Sequence, residues 1–153
     1  MISITTSADE SGPVLKLFQE LLDSLPAGTA TLGSKRTKNN DGTIIWLTPA
    51  NKCAAEFGAH TEDGGLSLID VFFGSGTTFE LENRNVRELV ELVRRLGFAV
   101  ISGRCEQRFG FIGVQGRIRL DGGKVYRCTD YFHPRLYPKT VRYEPYHQEP
   151  AKS

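Results

Sequence analysis

Two alternating segments flank a glycine-bracketed turn in LSLIDVFF-GSG-TTFELE, residues 66–82. Apolar and polar residues alternating with period two mark half-buried strands, and a turn between them makes a hairpin. A three-residue loop of Gly74, Ser75 and Gly76, with Gly76 left-handed, pairs Phe73 with Thr77, Val71 with Phe79 and Ile69 with Leu81. One face is then apolar throughout. A two-residue loop of Ser75 and Gly76 would set Val71 against Glu80 and mix the faces. The same glycines resemble a phosphate cradle, yet such a loop aims its amides with the help of a following helix. Here a strand pattern follows, and the lysine of a P-loop is absent. The stretch therefore reads as a hairpin turn, with Asp70 opposite Glu80.

If residues 61–65 form the preceding loop, His60 pairs with Leu66, Phe57 with Ile69 and Ala55 with Val71, and Glu56 stands opposite Asp70. The expected result is a row of carboxylates, Glu56, Asp70 and Glu80, about 4.8 Å apart, with Glu82 one step along and His60 on the same face. Such a row faces water, meets cations such as Arg117 and Arg119, or carries a proton. In functional terms it offers a charged surface for a partner, three oxygen ligands for a divalent cation, or an acid pair with His60 as a base.

Upstream, Pro13 suits a first helical turn, and Val14, Leu15, Phe18, Leu21, Leu22 and Leu25 recur at helical spacing until Pro26, predicting a helix over 13–25. Residues 33–42, GSKRTKNNDG, read as a loop, and 43–48 and 52–60 as strands. Asn85 with Glu88 resembles a capping box opening a second amphipathic helix, 86–96, closed by Gly97. Three further strands are expected in 98–105, 109–120 and 124–132. A three-residue turn between the last two places Arg117 opposite Arg127, and a two-residue turn places it opposite Cys128. The segment 133–153 holds four prolines and three tyrosines, which suits an extended arm.

The fold class that follows is α+β: one domain over 1–132, mainly an antiparallel curved sheet of about seven strands with both helices on one face, and an extended arm over 133–153. At 153 residues the chain has room for one core, and no apolar run reaches membrane-spanning length. The first residues lack the pattern of a secretory signal. Cys53, Cys105 and Cys128 form neither a zinc-ligand pattern nor a C-x-x-C pair, so a cytoplasmic protein with buried, inert thiols is expected.

A net charge of +1 conceals an asymmetry. Residues 1–97 carry 9 Lys and Arg against 13 Asp and Glu, and residues 98–153 carry 10 against 5. In the basic half Arg117 and Arg119 share a strand face, and Arg127 and Arg135 extend a candidate basic surface among Tyr126, Tyr131, Phe132 and Tyr137. That mixture suits single-stranded nucleic acid. No cofactor motif occurs. Ser75 has no strand-to-helix elbow, and His133 and His147 have no sequence-local partner. The expectation is a small non-enzymatic interaction module that presents a charged sheet face to another protein or to a second copy. The alternatives are a divalent-metal-dependent enzyme built on Glu56, Asp70 and Glu80, and a nucleic-acid-binding protein.

Overall fold

A computed structural model describes residues 12–63, 66–131 and 138–148. Helix α1 spans Gly12–Asp23 and buries Val14, Leu17, Phe18 and Leu21. It stops two residues short of the predicted end, because Ser24 turns its hydroxyl back onto the Leu21 carbonyl and Pro26 follows. Strands β1 (Ala30–Arg36), β2 (Gly42–Pro49), β3 (Phe57–Glu62), β4 (Leu68–Phe73) and β5 (Thr77–Glu82) then form an antiparallel meander, sheet A. Helix α2 spans Val86–Ile101, and β6 (Cys105–Phe109), β7 (Gly113–Arg119), β8 (Val125–Tyr131) and β9 (Lys139–Arg142) form sheet B in the order β8-β7-β6-β9. The class is α+β with antiparallel sheets, as expected. The strands divide into two sheets rather than one curved sheet of seven.

Sheet A buries Ile45, Leu47, Phe57, Ala59, Ile69, Val71, Phe73, Phe79 and Leu81 against the apolar stripes of the helices. Helix α1 lies against β1 and β2, and α2 against β4 and β7, so both cover one face. Phe18 stacks on Phe57 with ring centroids 5.4 Å apart. The Asn85 side chain caps α2 by accepting from the Arg87 and Glu88 amides, while Glu88 turns away to Asn83. Gly97 does not end this helix. It is the point where α2 meets α1 and β3: an added methyl would stand 2.7 Å from Leu21 Cδ1, and burial of Ala99, Val100 and Ile101 carries the helix on to Ile101. The strand expected over 98–105 is therefore helix, turn and the first residue of β6.

Other corrections share one physical origin: long-range pairing organises segments that lack a local pattern. Residues 33–42 are not merely a loop, because Gly33, Ser34, Lys35 and Arg36 pair with Trp46, Ile45, Ile44 and Thr43. Residues 52–56 are not strand; β3 begins at Phe57 and runs to Glu62. The Pro- and Tyr-rich segment is built into the domain where it is described. Its β9 pairs with β6, and Tyr146 is buried in the core.

The hairpin turn locks the two sheets together. Gln107 of β6, fully buried, donates from Nε2 to the Ser75 carbonyl (2.9 Å) and to Thr77 Oγ1, and its Oε1 accepts from the Ser75 amide (3.0 Å) and from the Tyr143 hydroxyl. Gly74, at φ +61°, leaves the space that Gln107 Oε1 and the Tyr143 hydroxyl occupy.

Burial pushes the Cys105 thiol from about 9.0 up to about 12. Its folded value is above its unfolded one, so its contribution to stability is complete below pH 9 and is lost as pH rises toward 12. We expect stability measured by chemical denaturation to fall through this window, and Cys105→Ala to flatten the fall. An equally steep fall in that variant would assign the effect elsewhere. Cys53 is exposed and should react with a thiol reagent while Cys105 stays silent.

Candidate functional site

Each sheet turns one face to the helices and core and the other outward. On sheet A the outward face is set by pairing register. The hairpin β4–β5 has the expected register, with Asp70 opposite Glu80. The β3–β4 register differs: His60, not Glu56, faces Asp70, and Phe57 faces Phe73. The shift is four residues, so the apolar face is preserved while Glu56 leaves the row. Glu56 lies beyond the start of β3, where its Oε2 accepts from Thr48 Oγ1 at 3.2 Å. The set Glu56, Asp70 and Glu80 is thus not assembled, and among the described residues no group of three metal-ligating side chains converges.

Cross-strand pairing instead forms the row Lys35, Ile44, His60, Asp70 and Glu80. His60 Nδ1 stands 3.4 Å from Asp70 Oδ2, while its Nε2 is buried without a hydrogen-bond partner. Glu80 and Glu82 are exposed on β5, and Glu62 is exposed on β3. No described arginine of the basic half forms an ion pair with this row. Every ion pair among the described residues stays within its own half of the chain, front with front and back with back.

Beside the acidic row runs a second one: Gly33, Trp46, Gly58, Phe72 and Thr78. The Trp46 ring lies over Gly33 and the Phe72 ring over Gly58, in space where any side chain at either glycine would collide with them. Glycine within a strand permits this close approach. Ile44, Trp46, Leu68 and Phe72 are half-buried and stand outside the hydrophobic core. Sheet A therefore carries a flat aromatic platform bordered by carboxylates. Trp46 and Phe72 were not among the predicted site residues; the isolated glycines at 33 and 58 were the available signal, legible only once the register is known.

On the outward face of sheet B, pairing sets Arg142, Glu106, Arg117 and Arg127 in one row across β9, β6, β7 and β8. The turn thus places Arg117 opposite Arg127. A groove of about 450 Å³ follows the row, lined by Arg104, Glu106, Arg108, Arg117, Arg119 and Arg142. Glu106 Oε1 lies 3.1 Å from Arg117 and 3.4 Å from Arg108, and its Oε2 lies 3.5 Å from Arg142. Arg104 pairs with Asp121 at the rim. Of the predicted basic surface, Arg117 and Arg119 line this groove, Arg127 extends its central row, and Arg135 lies outside the described residues, as do His133, Phe132 and Tyr137. No described aromatic lines it, and Tyr126 turns inward with Lys124 over its ring. Arg104 and Arg108 were missed because only the sheet brings them to Arg117.

Comparison with family models, with curated proteins and with solved structures finds no match for this chain. No described helix is long and apolar enough to cross a membrane.

Proposed function

We propose that this protein is an interaction module whose sheet A platform docks a lysine- or arginine-rich segment of another protein. The observation that carries the reading is the pair of glycine-cradled rings, Trp46 over Gly33 and Phe72 over Gly58, on a sheet face outside the core. Aromatic faces attract cations, and Glu62, Asp70, Glu80 and Glu82 supply opposite charge around them. Trp and flanking apolar side chains are the usual anchors of a protein interface. A cationic side chain laid across the rings would meet the His60–Asp70 pair on its flank.

The chain has one tryptophan, and it stands in the site, so intrinsic fluorescence reports on this surface directly. Titration with an arginine-rich peptide should change Trp46 emission saturably, and the affinity should fall with added salt. A glutamate-rich peptide of the same length should leave the emission unchanged. Phe72→Ala should weaken binding about tenfold, the loss of roughly 1–2 kcal/mol of stacking and cation–π attraction. Emission that ignores the basic peptide would sink the proposal.

A further inference from the structure

We infer that the arginine groove of sheet B is a second and separate site, one that binds a compact oligophosphate: a small ligand carrying two or more phosphate groups on one short chain. Five described arginines reach the groove from four places in the fold, Arg104 after α2, Arg108 on β6, Arg117 and Arg119 on β7, and Arg142 on β9. The guanidinium fork matches phosphate oxygens two at a time. Among the described residues one carboxylate lines the groove with them, and Arg108, Arg117 and Arg142 already share it. A carboxylate accepts about four hydrogen bonds while each guanidinium offers five donors, so most donors in the cluster exceed what Glu106 can satisfy. Arg119 has no acidic partner among the described residues, and the Nε atoms of Arg104 and Arg117 are buried without an acceptor.

Three considerations select the ligand. It must compete with Glu106 for the arginines around it, which requires more charge in a small volume than a single carboxylate brings. It must also span the cluster: Arg117 and Arg142 stand two strands apart, about 10 Å, and Arg119 is one further step along β7. Linked phosphates meet both demands. A nucleic-acid strand fits less well, because no described aromatic lines the groove to stack a base, and beyond β8 the neighbouring strand is β5 with Glu80 and Glu82.

The test is calorimetric titration of the full chain with sodium tripolyphosphate at low and high salt. Saturable one-to-one binding that weakens with salt is expected, with orthophosphate at least about tenfold weaker. Arg117→Gln and Arg142→Gln should each weaken binding about tenfold, the usual loss for a hydrogen bond between charged groups. The Arg142 side chain is 84% exposed, so its replacement leaves the fold intact, and melting temperatures verify this for each variant. Glu106→Gln should tighten binding severalfold by removing the internal competitor. Trp46 emission, on the other sheet, should not respond, which keeps this result distinct from the platform reading. No binding, affinity unchanged from the parent in both arginine variants, weaker binding in a stably folded Glu106→Gln, or an oligonucleotide or anionic vesicle that tripolyphosphate cannot displace would each overturn the assignment.

Discussion

Gln107→Leu is expected to lower the melting temperature by roughly 10 °C. The side-chain amide uses both donors and both acceptor positions, on Ser75, Thr77 and Tyr143. Leucine keeps the volume and removes every one of these bonds. It leaves the Ser75 amide and carbonyl and two hydroxyls facing apolar surroundings, at about 1–3 kcal/mol for each group that finds no water. Partial relaxation of the turn brings the expected net loss to about 3–5 kcal/mol. Gln107→Glu separates hydrogen bonding from packing. The carboxyl it introduces must give up its charge to donate as the amide does, so its folded-state pKa is raised. That variant should gain stability as pH falls toward the ordinary glutamate value and lose it as pH rises. A leucine variant melting within 2 °C of the parent would show that the sheets do not depend on this clamp.

Tyr146→Ala should cost about 3–5 kcal/mol, from the lost ring and the cavity left behind. Only 3% of this residue is exposed. Its hydroxyl donates to the Ala55 carbonyl at 2.7 Å, and its backbone amide donates to Ile101 at 2.8 Å. One residue near the end of the chain thus ties together the end of α2, the segment before β3 and sheet A. Tyr146→Phe, which removes only the hydroxyl, should cost about 1 kcal/mol. If the two variants melt alike, the ring contributes nothing and the packing account fails.

What could be read in the sequence was local. The β4–β5 register followed from alternation and a glycine turn, and α1 and the start of α2 from spacing and capping. The β3–β4 register failed because the turn was placed at residues 61–65. Thr61 and Glu62 still belong to β3, and a shift by an even number of residues leaves every apolar side chain on its face. Periodicity cannot see such an error. It moved Glu56 out of the acidic row and His60 in. Gly97 and the segment 139–146 were misread for a related reason: what holds them is contact with α1, β3 and β6, far away in sequence. The charged sheet face was legible in kind. Its aromatic row and the arginine groove were not, since Gly33 meets Trp46, and Arg142 meets Glu106, only through pairing.

The confinement of ion pairs to their own halves has a practical consequence. With a sequence pI near 7.7, bulk titration describes an almost neutral particle at pH 7. Its adsorption will not follow that number. One sheet presents carboxylates and the other guanidiniums, so the protein should be retained by both anion- and cation-exchange resins in dilute buffer at pH 7 and released from each by modest salt. Reversing Arg142 and Arg119 to glutamate should abolish retention on the cation exchanger. The same substitutions should strengthen retention on the other.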